Sequence, residues 1–449
     1  SYAVFRRSND RGLQGHLYVI SASQKMFRGK LFNIACWLVS LLVVAYFCHY
    51  VEARSLNAPF RDDIRDILKF VLRFDSADGL WDSLVLLHEQ HNDHRTTASR
   101  LVYLAAFHSA GETNFRLLAL LANSTLLILI GGYVAQLGKE RYLAPLLLIV
   151  CLLLMHPRAF ILLSYPMAAF AFFYLYGFGF LAILFLHRSG PWCFSAAVVC
   201  AFIANFSIAS GQLTWLFGLV ILVYRYTTNT DRNPCKPVIW LLASVAALSL
   251  FHVGMESHHD IVTLILKFLE TPVRQAHFFL VMMGSVVAFE SMLMSTVLGT
   301  VFLILLCLFT LRDWSQGLNS LHWFAWFIVA SAVVLMLGRA LYFPPEYALK
   351  PRYSFASMNL VVCLFLLALR PLNNHKHWHL GIALVLATVV CVANYITYTP
   401  VYDDHTQRRI RAFNADSYWM FGYPRKEANA IVQQAIDRGV YLPPAKPLK

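Results

Sequence analysis

From residue 31 to residue 398, apolar runs of roughly twenty residues follow one another with only short polar breaks between them. A helix of that length spans the ~30 Å hydrocarbon core of a bilayer, where a chain has to satisfy its backbone hydrogen bonds internally. This repetition predicts an all-α polytopic membrane protein. Composition agrees: 58% of residues are hydrophobic and 14% charged, against roughly 45–50% and about 25% in soluble domains. A soluble globular enzyme is excluded.

Eleven spans are predicted, over about 31–51, 115–137, 142–156, 167–187, 192–210, 212–226, 238–254, 291–311, 322–340, 353–370 and 379–398. A twelfth apolar stretch, 277–290, is too short for a full crossing and reads as a re-entrant or half-buried helix. Around the transmembrane domain (31–398) lie an N-terminal segment (1–30), a large first loop (52–114), a second loop (255–290) and a short tail (399–449). Arg6, Arg7, Arg11, Lys139, Arg141 and Lys236 are among the many cations on the N-terminal side, against only Asp10, Glu140, Asp231 and Asp313. By the positive-inside rule that side is cytoplasmic, so the first span reads as an uncleaved anchor and the loops and C-terminus are periplasmic. The expected setting is a bacterial inner membrane.

The net charge of +13 has no basic stripe, zinc spacing or RNA-binding motif beside it. Nucleic acid is therefore not the expected partner, whereas membrane lipids and phosphate are. Eight of the nine cysteines lie in apolar runs, which argues against a disulfide framework. In the first loop Ile64, Ile67, Leu68, Val71 and Leu72 recur at helical spacing, with Arg65, Asp66, Lys69 and Arg73 on the opposite face. A second surface helix is expected over 80–88, and a third from Asn92 and Asp93, which suit an N-cap. Ile261, Leu264, Ile265, Phe268 and Leu269 repeat the pattern in the second loop, and Tyr418, Trp419, Phe421 and Tyr423 in the tail are interfacial in type.

Three stretches carry candidate chemistry. Just beyond the first span, Asn57-Ala58-Pro59-Phe60-Arg61-Asp62-Asp63 sets two carboxylates side by side. Asp62 and Asp63 are candidate general bases, and they equally suit the N-terminus of the helix that follows. The run His88-Glu89-Gln90-His91-Asn92-Asp93-His94-Arg95 is the densest polar cluster. It could hold a divalent ion, although its spacing is no established zinc pattern. It could also be an acid–cation site, with Asp93, His94 or Glu89 handling a hydroxyl and Arg95 an anion, or a hydrogen-bonded cap. Third, Arg339, Lys350, Arg352 and Tyr353 are expected to converge on one outer pocket and bind a phosphate. His91, His258 and Glu290 are secondary candidates, and His156, Arg158 and Tyr165 line a short turn that could face the same cavity.

Together these features resemble the GT-C class of integral-membrane glycosyltransferases, most closely bacterial members that modify surface polysaccharides or pilins. The similarity is carried by the carboxylate pair after span one, the His91-Asn92-Asp93-His94-Arg95 run and the Arg352-Tyr353-Ser354 start of a late span. The resemblance implies a polyprenyl-phosphate-sugar donor, a periplasmic glycan or protein acceptor, Asp62 or Asp63 as base, and outer arginines on the departing phosphate. Some members use a divalent cation such as magnesium or manganese; a metal-independent reaction is expected here. The short tail favours single-sugar over en bloc transfer. An O-antigen polymerase or ligase and a lipid-linked sugar flippase are the competing readings.

Overall fold

A computed structural model describes residues 30–138, 142–256, 266, 269–370, 377–418 and 424–448. Among these residues no strand forms, and the one β-type contact joins His91 to His94. Helix α1 (Lys30–Arg54) leads into the first loop. There a π-helix (Ile64–Lys69) runs into α2 (Phe70–Asp75), followed by α3 (Leu80–Leu87) and α4 (Thr97–Ala110). The bundle continues with α5 (Phe115–Leu137), α6 (Leu143–Leu154), α7 (Phe160–Ser164), α8 (Pro166–Leu186), α9 (Pro191–Asn205), α10 (Leu213–Thr227) and α11 (Cys235–His252). After α12 (Pro272–Gly284) come α13 (Met292–Asp313), α14 (Ser320–Arg339), α15 (Ser354–Leu369), α16 (His377–Asn414) and α17 (Arg425–Asp437).

The described chain is an all-α, multi-pass membrane protein, with eight helices long and apolar enough to cross a bilayer. Each of the eleven predicted spans falls on a helix. Three of them, α9, α10 and α15, are only 15 or 16 residues long, short of the ~20 that a full crossing takes, and α6, with 12 residues, reaches that length only together with the turn and α7 that carry it on to Ser164. Leucines such as Leu38, Leu41 and Leu42 on α1 and valines such as Val385 and Val389 on α16 face outward, as they do where lipid is the solvent. All nine cysteines are free thiols.

Local chemistry sets the helix limits. Asn114 and Ser291 accept from the amides of Leu117 and Met294, satisfying donors that a helix start leaves open. Asn319 and His322 cap α14 reciprocally. Inside the bundle Phe180 stacks on Phe324 at 4.3 Å, with Tyr133 4.8 Å from Phe180. Helix α12 lies directly on α13: a Cβ on Gly284 or Gly299 would come within 2.0 Å of a backbone oxygen of the other helix, so only glycine allows this approach.

The two ends of the bundle differ. At one end the ties run from arginines near helix ends to carbonyls of other helices, such as Arg188 to the Ala135 carbonyl and Arg312 to the Leu367 carbonyl. The other end carries the first loop, roofed by α2 to α4 and α17. The expected helix over 64–72 forms there, but its first part is a π-helix, whose wider turn rotates Asp66 off the solvent face. Asp66 is fully buried. The third loop helix starts at Thr97, not near Asn92, because residues 91–94 close a tight turn of their own. Nor does the last span stop near 398: α16 continues through Pro400 to Asn414. Tyr418 is buried against Phe413. Residues 261, 264, 265 and 268 of the expected second-loop helix, and Trp419, Phe421 and Tyr423, lie outside the described residues.

Candidate functional site

α1 ends at Arg54, and the loop that follows it, through Pro59 to the carboxylate pair, is tied down along its length. Asn57 accepts from the Phe115 amide at 2.9 Å, and its carbonyl accepts from the Tyr441 hydroxyl at 2.8 Å. Arg409, buried on α16, donates to the Ala58 carbonyl at 2.9 Å and the Ser164 carbonyl at 2.8 Å. The extension of the last helix thus forms the back wall of the carboxylate loop.

The two neighbouring carboxylates have different surroundings. Asp63 is fully buried. One of its oxygens accepts from the Phe60 amide at 3.1 Å and the other from the Met167 amide at 3.2 Å, with Arg409 nearby. Met167 lies in the first turn of α8, where amides have no partner within the helix. Asp63 therefore caps α8, a helix more than a hundred residues away in sequence, and makes no side-chain cap on the π-helix that follows it. Burial pushes its carboxyl well above the ordinary carboxylate range, opposed by the Met167 amide, Arg409 and the Phe60 amide.

Asp62 is only half-buried. Among the described residues a single donor serves its carboxylate, the Tyr165 hydroxyl at 2.9 Å, and the Asp62 amide donates back to that hydroxyl at 3.3 Å. Arg61, beside it, takes a left-handed backbone with φ 54°. Its guanidinium lies 4.9 Å from the Phe60 ring and within electrostatic reach of Asp62, Tyr165, Tyr347 and Arg352. Arg352 donates to the hydroxyls of Tyr347 at 3.1 Å and Tyr353 at 2.9 Å. Asp62, Tyr165, Arg61 and Arg352 thus form one polar cluster at the loop-bearing end, with two guanidinium groups and one carboxylate.

Of the other predicted phosphate ligands, Lys350 is exposed, with its ammonium 5.7 Å from the Tyr347 ring. Arg339 lies close enough to His94 to bear on its charge. Arg95 is committed elsewhere: it donates to the Phe251 carbonyl at 2.6 Å and to the carbonyls of His88 and Val253. A guanidinium there suits the negative end of the α11 dipole.

The histidine-rich run works largely as a clamp on α11. His88 Nε2 donates to the Leu250 carbonyl at 2.7 Å, leaving Nδ1 to accept from Thr97. The Gln90 side chain pairs with the amide and carbonyl of Glu256, both at 2.8 Å. Glu89 takes Arg73 at 2.6 Å. His91 is buried 3.6 Å from Asp66, which also accepts from Thr96 at 2.8 Å and Arg100 at 3.2 Å. His94 Nδ1 accepts from the Ala209 amide at 3.2 Å. Burial lowers the pKa of His88 and of His91, and takes His94 down to about 4, where His91 and Arg339 also oppose its charge and Asp93 favours it. Asp93 sits half-buried at the tip of the turn. The three imidazoles face three different partners, and among the described residues no three His, Cys, Asp or Glu side chains converge on a metal position.

Glu290 accepts from Arg158 at 2.8 Å, and this fully buried arginine also donates to the carbonyls of Ser285 at 3.0 Å and Leu349 at 3.1 Å. His156 is likewise buried and accepts from the Arg158 amide. His258 lies outside the described residues. Arg61, Asp66 and Arg409 had drawn no functional role from the sequence. Asp66 was hidden by helix type, and Arg409 by its distance along the chain; Arg61 stood in the quoted motif, where its neighbours were the signal. No protein-family model, curated protein or solved structure matches this chain.

Proposed function

We propose that the protein is a GT-C-like glycosyltransferase of eleven crossings in a bacterial inner membrane, with a cytoplasmic N-terminus and the Asp62 cluster on the periplasmic face. It moves a single sugar from a polyprenyl-phosphate donor to a periplasmic acceptor, a surface glycan or a pilin-like protein. The observation that carries this reading is the difference within the carboxylate pair: Asp63 is buried and occupied as a helix cap, while the half-buried Asp62 bonds the Tyr165 hydroxyl, which itself lies within electrostatic reach of Arg352.

The chemistry follows. An acceptor hydroxyl attacks the anomeric carbon, the bond from that carbon to the phosphate oxygen breaks, and Asp62 takes the hydroxyl proton. Tyr165 orients the carboxylate. Arg352 compensates the charge that grows on the departing phosphate, and a phosphate leaves without a strong general acid. A single displacement inverts the anomeric centre. Support for an enzyme over a flippase comes from the buried carboxylates: among the described residues Asp63 and Asp66 sit in the first loop and Asp313 at the last residue of α13, rather than mid-span where a transport path would hold them.

The test is product analysis of the purified chain with radiolabelled polyprenyl-phosphate-pentose or -hexose and a cell-envelope acceptor extract, with and without EDTA. Label reaching an acceptor with inverted configuration, and unaffected by EDTA, is the expected result. Retained configuration would overturn the single displacement, EDTA sensitivity would overturn metal independence, and no transfer with intact donor binding would overturn the enzyme reading.

A further inference from the structure

Helix α3 is loosely seated on the first loop. Leu86 is its one buried residue, while Leu80 is 78% and Trp81 76% exposed. Between α3 and the C-terminal end of α11 lies an open cleft of about 630 Å³, the size of a small-ligand site. Trp81, Leu84, Val85 and Val253 give it an apolar side. The rest is polar and balanced in charge, with Arg65 and Arg95 against Glu89 and Glu256, and the amides of Gln90 and Asn92 among them. Gln90 bonds the backbone of Glu256 in both directions at 2.8 Å, which fixes the frame of the cleft. The Glu256 carboxylate and the Trp81 indole have no hydrogen-bond partner among the described residues.

A second cavity, of about 80 Å³, shares Arg65, Glu89 and Gln90 with the first and so adjoins it. Its charge is one-sided: Arg65, Lys69, Arg73 and Arg100 line it, against Glu89 as the one carboxylate among the described lining residues. Arg65, Lys69 and Arg73 recur at every fourth residue along the π-helix and α2, a spacing at which like charges repel. Arg100 is buried, and its Nε has no hydrogen-bond partner. Arg73 bonds Glu89 alone among the described residues, in an exposed pair that water screens. This small cavity is built for an anion.

The two lining patterns describe one kind of ligand. The apolar face of a sugar ring stacks on a tryptophan, and hydroxyl groups, which donate and accept, suit amides and carboxylates. A phospholipid fits less well, because its headgroup would meet as much negative as positive charge in the larger cleft. We propose that this cleft binds an acidic saccharide, with a sugar ring on Trp81 and its carboxylate in the cationic cavity beside Arg73. The site rests on the transfer reading above only in making that saccharide the acceptor, which would then be a uronic-acid-containing surface glycan instead of a pilin-like protein.

The experiment measures binding to the full chain in phosphatidylcholine nanodiscs by calorimetry, without donor. Hyaluronan tetrasaccharide is the acidic probe and chitotetraose its neutral counterpart, while geranylgeranyl phosphate, a short polyprenyl phosphate, reports separately on the donor reading. Hyaluronan tetrasaccharide is expected to bind about tenfold more tightly than chitotetraose. Trp81→Ala should weaken both by about tenfold or more, and Arg73→Gln should bring the acidic probe down to the neutral one, with thermal midpoint and geranylgeranyl phosphate binding unchanged in each. Equal binding of the two saccharides would overturn the anionic end, and Trp81→Ala binding both like the unmodified chain would overturn the cleft. Binding of geranylgeranyl phosphate but of neither saccharide would overturn the saccharide site and leave the donor reading standing; saccharide binding without geranylgeranyl phosphate would do the reverse. Loss of the acidic and the neutral probe alike on adding phosphatidylglycerol to the nanodisc would assign the cleft to lipid headgroups and overturn the proposal.

Discussion

Two polar stretches of the first loop, Phe60–Asp63 and His88–Arg95, stand within one layer and differ in what their side chains still have to offer. The second is far richer in chemistry-bearing residues, yet His88, Gln90 and Arg95 are spent on the carbonyls and amides that end α11, Glu89 on Arg73, and His91 on Asp66. The first has fewer groups, and one of its two carboxylates is spent in the same way, on the amides of Phe60 and Met167. Its neighbour Asp62 is left with a single tyrosine donor among the described residues. Density of ionisable residues therefore marks where polar work is done; whether that work is chemical or structural depends on the groups left with capacity to spare.

Substitutions sharpen this contrast. The largest stability effect is expected at Asp63: Asp63→Ala leaves the Phe60 and Met167 amides without their acceptor, at about 1–3 kcal/mol for each. A fall of several degrees in the thermal midpoint of the purified protein checks it. Arg95→Ala removes donors from the carbonyls of His88, Phe251 and Val253 and should cost about 2 kcal/mol while leaving geranylgeranyl phosphate binding intact. A loss of binding in a well-folded Arg95→Ala protein would break the comparison, since it would return the histidine-rich turn to the phosphate site.

Tyr165→Phe keeps the ring against Phe60 and deletes only the hydroxyl that orients Asp62. A hydrogen bond to a charged group is worth about 1.5–3 kcal/mol, so a drop in kcat of about tenfold with little change in KM is expected. The smallest effect is on pH. His94 is held near 4 in the folded protein against about 6.5 in an unfolded chain. The unfolded state therefore takes up the proton first, so His94 contributes stability above pH 6.5 that is lost as the pH falls toward 4. His94→Asn should flatten the dependence of the thermal midpoint on pH across that window; an unchanged slope would place the titration elsewhere.

The bundle was legible because long apolar runs announce spans whatever packs against them, and the limits of α5 and α8 fall within a residue of the expected ones. The surface helices of the first loop followed from the same kind of pattern. What escaped was set by long-range contact. Asp63 looked like a cap for the helix beside it, and caps α8 instead, because the partner amide arrives from a distant segment. Asp66 belonged by α-helical phase to the wet face; the π-helix turned it inward onto Arg100 and Thr96. Arg409 lay in what read as a short tail beyond the last span, and becomes the wall of the carboxylate loop only because α16 runs on to Asn414.

The most direct test compares Asp62→Asn with Asp63→Asn in sugar transfer, normalised to folded protein and read beside the thermal midpoint and geranylgeranyl phosphate binding. Asp62→Asn should lose transfer by about 10²–10⁴-fold with midpoint and binding preserved, while Asp63→Asn should lower the midpoint and keep measurable transfer in the fraction that folds. Transfer that survives in Asp62→Asn and disappears in a stable Asp63→Asn protein would contradict the assignment of the base and, with it, the division of labour between the two carboxylates.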